Sequence, residues 1–323
     1  MKMALIGGAG FLGSRFAAIP RDPSIEVSIY DKVLGDHQHL DITKPEHFSK
    51  LPRDIDAVIN LAAEHRDDVR PKSLYDLVNV EGSRHLCNWC TECGINTIIF
   101  TSSVAVYGFA EEGTDESGAI NYFNDYGRTK YLAEEIYRDW YSEDPENRNL
   151  TIIRPTVIFG EANRGNVFTL LRQIASGKFL MFGDGQNKKS MAYVENVAEV
   201  LHYALSLKGY NLYNYIDKPD IDMNTLVQTT RQFLFGKSNI GPRLPAWLGI
   251  LGGYGFDLLS FFMRKNLPVS SIRVKKFLGT TAFNTSIAET GFQPSVPLEE
   301  GLQRTLKYEF LEDNSSKRTF LSE

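Results

Sequence analysis

The sequence predicts an α/β fold, a doubly wound parallel sheet with a smaller carboxyl-terminal substrate domain. Short apolar runs typical of buried strands alternate with helical patterns through the first half of the chain. The first run, residues 3–6, stops at a glycine-rich turn, and a helical pattern follows directly. The second run, residues 26–30, ends in the acidic residue Asp31. Together these observations favour a sheet that binds a ligand at the carboxyl ends of its strands.

The glycine-rich turn has the spacing G-x-x-G-x-x-G, formed by Gly7, Gly10 and Gly13. Gly7 allows a tight turn, Gly10 lets the backbone approach a pyrophosphate, and Gly13 lets the helix pack closely on the strand. The helix that begins with Phe11 and Leu12 offers unpaired N–H groups and the positive end of its dipole to phosphates. The turn therefore predicts a dinucleotide-binding site.

The position of Asp31 indicates which dinucleotide binds. It lies 18 residues after Gly13, where an acidic residue meets the ribose hydroxyls of the adenosine and favours NAD over NADP. A second acidic residue, Asp41, precedes Ile42 in a predicted loop. This pair either lies at the adenine edge or belongs to the N-cap region of the next helix, and both interpretations stay open.

Size, charge and cysteine usage exclude several classes of protein. The 323 residues suffice for one large domain or two modest ones, and 35 basic against 40 acidic residues give no reason to expect a nucleic-acid partner. A strand that begins almost at Met1 leaves no room for a secretory signal. Scarce cysteine fits a reducing cytoplasm. Because Cys87, Cys90 and Cys93 fall in a predicted helix over 80–93 without a fourth cysteine, we interpret them as half-buried helix residues and predict no metal site.

The third predicted strand, residues 57–63, ends in small residues that suit close approach of a cofactor, namely Leu61, Ala62 and Ala63. A charged run comes next, and its first members are Glu64, His65 and Arg66. The run either binds substrate, as ligand sites at strand ends do, or is a solvated loop. Asn79 opens the next predicted helix. Its amide either ties that helix to the neighbouring strand or simply caps the helix.

The candidate catalytic residues lie at the end of a predicted strand over 97–103, which ends in hydroxyl side chains, and in a predicted helix that begins near Tyr126. Tyr126 and Lys130 are four residues apart, so both project from one helix face. The reference pKa of tyrosine, about 10, is too high for a base at neutral pH. We expect the lysine ammonium and an oxidised nicotinamide to lower the pKa of Tyr126, and Ser103 to hydrogen-bond the same reacting oxygen.

On these motifs the chain resembles the extended short-chain dehydrogenase/reductase family, the NAD-dependent epimerases and dehydratases. The resemblance covers nearly the whole chain and continues through 153–160, 183–185, 193–198 and 281–308. It implies a Rossmann fold, NAD as cofactor, and Ser103, Tyr126 and Lys130 as catalytic residues. It adds Ser102 and Pro155 to the cofactor site. It also implies a homodimer through the helices that start near Asn79 and Tyr126.

Three runs resemble a narrower group, at 63–69, 164–167 and 214–219. This group comprises bacterial epimerases that act on N-acetylglucosamine linked through diphosphate to undecaprenol. The resemblance implies a 4-epimerase that supplies precursors of surface polysaccharide such as O antigen. The substrate residues that we infer from it are Glu64, His65, Arg66, Ser103, Val104, Asn166, Lys189 and Arg273.

The chain departs from the family at the candidate phosphate grip. Lys189-Ser190 stands where Arg-Asp is common, and Asn196 replaces a frequent aspartate. Lysine offers a point charge to a phosphate but not a bidentate fork. Arg273 is therefore a second candidate for the diphosphate, and contacts to a uridine base are in doubt.

An apolar stretch over 244–263 contains Asp257 as its only charged residue. Its length approaches that of a membrane span, but Pro245, four glycines and Asp257 disfavour one. The stretch is either a buried helix of the smaller domain or an interfacial segment that contacts a membrane surface. We expect a cytoplasmic protein, with peripheral contact to the inner face of the inner membrane in the second case.

We predict an NAD-binding domain over 1–160, to which roughly 190–216 return, and a substrate domain over 161–323. Three other functions remain open. They are a soluble epimerase of a UDP-sugar such as UDP-N-acetylglucosamine or UDP-glucose, a dehydrogenase or reductase including sterol-type members, and a non-catalytic NAD-binding regulator. A dehydratase is disfavoured, because Val104-Ala105 follow Ser103 where dehydratases carry an Asp-Glu pair.

Overall fold

The computed structural model describes residues 1–19, 22–66, 69–263, 274 and 277–321, so the predicted substrate residue Arg273 lies outside it. The strands of the described residues are β1 (Lys2–Ile6), β2 (Glu26–Asp31), β3 (Gln38–His39), β4 (Ala57–Asn60), β5 (Thr97–Thr101), β6 (Asn149–Pro155), β7 (Val157–Phe159), β8 (Met181–Phe182), β9 (Lys188–Tyr193), β10 (Tyr210–Tyr215), β11 (Asp217–Asp222) and β12 (Arg243–Leu244).

The α-helices of these residues are α1 (Phe11–Ala18), α2 (Pro45–Phe48), α3 (Ser73–Tyr75), α4 (Gly82–Cys93), α5 (Asp125–Ser142), α6 (Asn166–Ala175), α7 (Val194–Tyr203), α8 (Met223–Phe235), α9 (Ala246–Met263) and α10 (Leu298–Phe310). A π-helical segment, Asp76–Glu81, joins α3 to α4. Short 3-10 turns cover Val104–Tyr107, Ala204–Ser206 and Ile287–Thr290.

The central sheet has seven strands in the order β10-β6-β5-β4-β1-β2-β3, and each neighbouring pair is parallel. From β1 the chain winds to β2 and β3 on one side. It then winds to β4, β5, β6 and β10 on the other. The winding direction reverses between β1 and β4, and in open α/β sheets ligands bind at this crevice. The predicted doubly wound sheet is confirmed, although β4 ends at Asn60 rather than at Ala63.

Helices cover both faces of this sheet and bury its apolar strands. On one face, Leu86 and Trp89 of α4 pack with Tyr137 and Trp140 of α5. On the other face, Phe16 of α1 and the apolar residues of α7 form a second cluster. The core therefore holds β1, β4 and β5 rigidly, and their carboxyl ends present polar residues at one edge.

The chain after β6 forms a second layer around two small sheets, β11-β9-β7 and β12-β8. Its own apolar cluster includes Leu171 of α6, Val227 of α8 and Leu302 of α10. Strand β10 comes late in the chain, yet it pairs with β6 and extends the central sheet. The two parts of the chain are thus interleaved rather than joined end to end.

The apolar stretch forms helix α9, which lies at the surface along its first turns. Trp247 and Leu251 are each 61% exposed and Tyr254 is 51% exposed, and their i, i+4, i+7 spacing puts them on one face. The opposite face packs closely, since a Cβ at Gly249 would lie 2.9 Å from the ring of Phe182. The buried-helix interpretation is therefore wrong for this part of α9. In the described part of the chain, we find no helix with the length and hydropathy needed to cross a membrane.

Candidate cofactor and active site

The glycine turn between β1 and α1 has the conformation that its spacing predicts. Gly7 has φ +77°, and a Cβ there would lie 2.6 Å from the backbone N of Ala62. A Cβ at Gly13 would lie 2.5 Å from Cα of Gly8, so any side chain would push α1 away from the turn. Gly10 precedes the first residue of α1 in extended conformation, without a side-chain cap on the helix. The first N–H groups of α1 are thus left for an anion.

Asp31 ends β2 beside this turn and is buried. One carboxylate oxygen accepts a hydrogen bond of 3.0 Å from the N–H of Ala9, and the other accepts one of 3.0 Å from the N–H of Val33. The backbone therefore fixes the carboxylate at the edge of the glycine turn. This is the place where an acid meets the ribose of a dinucleotide.

Asp41 and Ile42 form a loop that supports the sheet edge. Asp41 accepts hydrogen bonds from the N–H and the hydroxyl of Thr43, at 3.0 and 2.8 Å. The buried Ile42 packs against Gly82 at the start of α4. Lys44 is the N-cap of α2 and shows no side-chain cap, so Asp41 closes a turn two residues into the loop and does not cap the helix.

Residues 61–63 follow β4 and lie against the glycine turn, so the backbones of Leu61 and Ala62 are close to Gly7. The Asn79 side chain holds the next residue, Glu64, at both of its backbone groups. The Asn79 oxygen accepts from the N–H of Glu64 at 2.8 Å, and the amide donates to the carbonyl of Glu64 at 3.0 Å. The same amide donates to the Thr129 hydroxyl at 2.9 Å. Asn79 therefore ties its own helix both to the end of β4 and to α5.

The prediction that Asn79 opens a helix is wrong. The helix begins six residues earlier, at Ser73, and Asn79 lies inside the π-helical segment. A π turn widens the helix by one residue, and such turns are frequent at functional sites. The hydrogen bonds of Asn79 explain why it lies in a π-helical turn, because its amide must contact both the end of β4 and α5.

Tyr126 lies in the first turn of α5, after the N-cap Asn124 accepts a 2.8 Å hydrogen bond from the N–H of Gly127. Ser103 follows the end of β5 by two residues, and its hydroxyl is close enough to the Tyr126 phenol to influence the pKa of that phenol. Burial raises the pKa of Tyr126, and the Ser103 hydroxyl offsets part of that rise. The two predicted catalytic hydroxyls therefore meet, as expected from strand end and helix start.

Lys130 lies one turn further along α5 and is only 2% exposed. Its ammonium donates to the carbonyl of Thr101 and lies 4.2 Å from the centre of the Phe100 ring. Burial lowers the pKa of Lys130 to about 7, against the raising influence of Glu134. The sequence predicts that Lys130 lowers the pKa of Tyr126. In the structure burial dominates that pKa instead, because the ammonium is directed at the floor of the site.

A buried polar network beneath Lys130 is a feature that the sequence analysis did not predict. Arg154 of β6 forms a two-point ion pair with Glu134 of α5, with Nε–Oε1 at 2.8 Å and Nη2–Oε2 at 2.5 Å. The Ser102 hydroxyl donates to the same carboxylate at 2.5 Å. The Tyr107 hydroxyl accepts from Arg154 at 2.7 Å and donates to Asn214 at 2.8 Å. The i, i+4 spacing of Lys130 and Glu134 is a sequence signal that could have indicated an acidic group close to this lysine.

Ser102 and Pro155, both predicted cofactor residues, are buried at the ends of adjacent strands. The N–H of Ser102 donates to Ile153 at 2.7 Å, and Pro155 ends β6 next to Arg154. The structure thus brings the candidate cofactor residues of β4, β5 and β6 to one edge of the sheet.

The first group of candidate substrate residues lies at that same edge. Glu64 is buried and pairs with Arg66 at 3.2 Å, while the side chains of His65 and Arg66 are exposed. Desolvation lowers the pKa of His65, against the raising influence of the Ala63 backbone and the Glu64 carboxylate. Val104 begins the 3-10 turn directly after Ser103.

The second group comes from the later part of the chain. Asn166 is the exposed first residue of α6. The Lys189 ammonium donates to the carbonyl of Gly279 at 2.6 Å and to the Thr281 hydroxyl at 2.9 Å, and burial lowers the pKa of Lys189 to about 8. The Lys189 ammonium, a candidate phosphate ligand, is therefore hydrogen-bonded to residues 279 and 281 in this structure.

The cysteines of α4 are part of the core. Cys87 and Cys90 are buried in the apolar cluster, and Cys93 is partly exposed. Burial raises the pKa of Cys87 and of Cys90, which keeps both as thiols rather than as metal-binding thiolates. Among the residues that the structure describes, no group of three His, Cys, Asp or Glu side chains could hold a metal ion.

Comparison with known proteins identifies the family. The sequence profile of the NAD dependent epimerase/dehydratase family matches residues 3–214. The chain belongs to this family. Its cofactor is NAD, and the described residues fit that cofactor: the glycine turn leaves the amino end of α1 open, and Asp31 is fixed beside it.

Two relatives are similar to this epimerase/dehydratase chain over almost its whole length. The N-acetyl-alpha-D-glucosaminyl-diphospho-ditrans,octacis-undecaprenol 4-epimerase of Escherichia coli O157:H7 is 47% identical, over 100% of this chain and 99% of that protein. The decarboxylating sterol-4-alpha-carboxylate 3-dehydrogenase of Saccharomyces cerevisiae is 26% identical, over 95% and 97%. The similarity is therefore collinear from end to end in both cases.

Solved structures show the same epimerase fold at low identity. The UDP-N-acetylglucosamine 4-epimerase from Bacillus cereus superposes with a TM-score of 0.75 at 18% identity, covering 95% of this chain and 98% of that one. The UDP-glucuronic acid 4-epimerase from Bacillus cereus in complex with NAD gives 0.73 at 21%, with the same coverages.

One departure from the family pattern has a structural explanation. Asn196 is fully buried at the start of α7; its amide donates to the carbonyl of Val296 at 2.7 Å, and its oxygen accepts from the N–H of Val296 at 3.1 Å. An aspartate could accept but not donate there. Asn196 thus fastens α7 to the segment before α10.

Proposed function

We propose that this protein is an NAD-dependent 4-epimerase that interconverts N-acetylglucosamine and N-acetylgalactosamine linked through diphosphate to undecaprenol. The observation that carries the proposal is that Ser103 lies beside Tyr126 and Lys130 is buried one turn further along α5, in a chain 47% identical over its full length to an epimerase of that substrate. The product would serve synthesis of surface polysaccharide such as O antigen.

Each residue of the site has a separate role in the proposed reaction. Tyr126 takes the proton of the sugar 4-hydroxyl, and Ser103 donates a hydrogen bond to the same oxygen as it becomes a carbonyl. NAD held at the glycine turn would supply the hydride acceptor and donor for C4, and the positive charge of its oxidised ring would favour the Tyr126 phenolate. The 4-keto sugar turns over in the site and presents its opposite face for return of the hydride, which inverts the configuration at C4, while Tyr126 returns the proton to the 4-oxygen. His65 and Arg66 are the candidate contacts that hold the sugar during turning.

A membrane-docking role for α9 fits a substrate whose polyprenyl tail stays in the bilayer. The exposed face of Trp247, Leu251 and Tyr254 offers apolar and aromatic groups to the acyl boundary. Arg243, in the adjacent strand β12, is also exposed and would meet lipid phosphates. We therefore propose peripheral contact with the inner face of the inner membrane through this face of α9.

A homodimer through α4 and α5 is also proposed. Leu77, in the π-helical segment, and Tyr122, before α5, are exposed although apolar. An isologous contact between two copies would bury such residues. Light scattering on Leu77→Glu tests this, since the charge would disfavour a buried interface. An unchanged oligomeric mass would contradict it.

The substrate is tested by product analysis with undecaprenyl-diphosphate N-acetylglucosamine in detergent, beside UDP-N-acetylglucosamine and without added NAD. We expect epimerised sugar from the lipid substrate alone. Turnover of the nucleotide sugar alone would instead identify a soluble UDP-sugar epimerase. Stoichiometric loss of NAD with either substrate would identify a dehydrogenase.

Membrane docking is tested by sedimentation with vesicles that contain phosphatidylglycerol. We expect Trp247→Ser combined with Leu251→Ser to abolish sedimentation while turnover of a detergent-solubilised substrate persists. The matched control is Leu34→Ser, an exposed apolar residue of the loop after β2. Equal binding by the double variant and the native protein would contradict the role of α9.

The division into an NAD-binding part, 1–160, and a substrate part, 161–323, stays a prediction. The pairing of β10 with β6 supports the proposed return of 190–216 to the first part. Limited proteolysis that releases a stable fragment ending near residue 160 would contradict this interleaved division.

A further inference from the structure

The segment after α10 runs back to the glycine turn. The N–H of Phe320 donates to the carbonyl of Ala162 at 2.8 Å, and the N–H of Arg164 donates to the carbonyl of Phe320 at 2.8 Å. These two bonds form an isolated parallel bridge between the loop after β7 and the residues after α10. The bridge brings the Phe320 ring to 5.8 Å from the ring of Phe11, with an angle of 49° between the ring planes.

Phe11 is the first residue of α1, at the uncapped helix end that would hold the phosphates of NAD. Its ring is confined on a second side, because a Cβ at Gly160 would lie 3.3 Å from its Cζ. Phe320 therefore closes the open side of a ring that positions the amino end of α1. The Arg318 guanidinium lies 4.8 Å from the centre of the Phe320 ring and adds a cation–π contact.

The loop that receives Phe320 is held in a strained conformation. Ala162 has φ +68°, in the left-handed region that a residue with a Cβ adopts only at an energetic cost. Its N–H donates to Glu309 of α10 at 2.7 Å, and its carbonyl accepts from Phe320. The preceding carbonyl, of Glu161, accepts from Arg15 of α1 at 2.9 Å. The loop thus connects α10, the Phe320 segment and α1 directly.

We propose that Arg318–Phe320 is a latch on the cofactor site, in which Phe320 is a positioning residue that holds Phe11 and slows the release of NAD. The latch opens when the two backbone bonds at 162–164 break, which frees Phe11 and the first turn of α1. If the proposed epimerisation is correct, NAD is regenerated in every cycle, so slow release does not limit turnover.

The test is the rate of NAD release, measured by displacement in a stopped-flow instrument, together with the NAD content of the purified protein. We expect Phe320→Ala to release NAD on the order of ten-fold faster, because the aromatic pair is lost. Phe320→Tyr keeps the ring and should restore slow release. Leu321→Ala, a change in the next and strongly exposed residue, is the matched control.

Two results would overturn the latch. One is release of NAD from Phe320→Ala at the native rate. The other is fast release from Phe320→Tyr equal to that from Phe320→Ala, which would make the effect one of general packing. Neither readout uses a sugar substrate, so the latch and the proposed function fail independently.

Discussion

Arg154 and Glu134 form a buried, two-point ion pair between β6 and α5, directly beneath Lys130. The pair is satisfied on all sides, since Ser102 and Arg138 also donate to Glu134 while Arg154 donates to Tyr107. A buried charge without its partner is strongly unfavourable, whereas a satisfied pair can be replaced as a unit. The network fixes the strand and helix that carry Ser103 and Lys130.

Glu134→Leu should lower the free energy of unfolding by about 3–5 kcal/mol, because it leaves Arg154 buried without a counter-charge. The double variant Glu134→Leu with Arg154→Met should recover most of that loss. Urea unfolding followed by circular dichroism measures both. A double variant that is less stable than Glu134→Leu alone would show that the pair is not a self-contained unit.

Tyr126→Phe should reduce kcat by about 10²–10⁴-fold, since the base that moves the 4-hydroxyl proton is removed. Ser103→Ala should reduce it by about 10²–10³-fold, through loss of one donor to the reacting oxygen. The matched control is Tyr131→Phe, five residues along the same helix and in ring contact with Tyr122. Comparable loss in Tyr131→Phe, measured by steady-state product formation, would argue against a catalytic role for Tyr126.

The stability of the NAD-free protein should depend on pH through Lys130. Burial lowers its pKa to about 7 from 10.5, so between these values the unfolded chain binds more protons and the free energy of unfolding rises with pH. Lys130→Met removes this contribution. The difference in free energy of unfolding between the native protein and the variant should therefore rise by up to about 1.4 kcal/mol per pH unit above pH 7. Denaturation of both from pH 6 to 9 measures it, and a constant difference would contradict the lowered pKa.

Asp31→Ala should shift cofactor preference from NAD toward NADP. We expect the carboxylate fixed by Ala9 and Val33 to accept hydrogen bonds from the ribose hydroxyls of NAD and to repel the 2′-phosphate of NADP. Titration of the NAD-free variant with each cofactor gives the two dissociation constants. We expect the constant for NADP divided by that for NAD to fall by at least about ten-fold. Asp36→Ala, in the loop after β2, is the control for charge alone. An unchanged ratio in Asp31→Ala would mean that the carboxylate does not select the ribose.

The local part of the site was predictable because each feature depends on residues near in sequence. The turn at Gly7 needs a positive φ, the acid at Asp31 ends a strand, and Tyr126 and Lys130 share a helix face by periodicity alone. The alternation of strands with helices also predicted the parallel sheet, since parallel strands require crossovers.

The sequence did not predict features that depend on distant partners. Asn79 lies in a π-helical segment, where its side chain hydrogen-bonds both Glu64 and Thr129. This arrangement depends on how the helices pack, which the local sequence does not show. Burial raises the pKa of Tyr126 although Lys130 is on its helix face, because desolvation depends on everything packed around a group.

The sequence by itself determined the fold class and the dinucleotide turn, and it singled out Ser103, Tyr126 and Lys130 as catalytic candidates, since these depend on residues near one another in the chain. Only the tertiary structure decided that Arg154 pairs with Glu134, that the first turns of α9 are exposed, and that Phe320 meets Phe11. These contacts join residues up to 309 positions apart, Phe11 and Phe320. Burial and packing bring such distant residues together, and the local pattern around each residue does not name its partner.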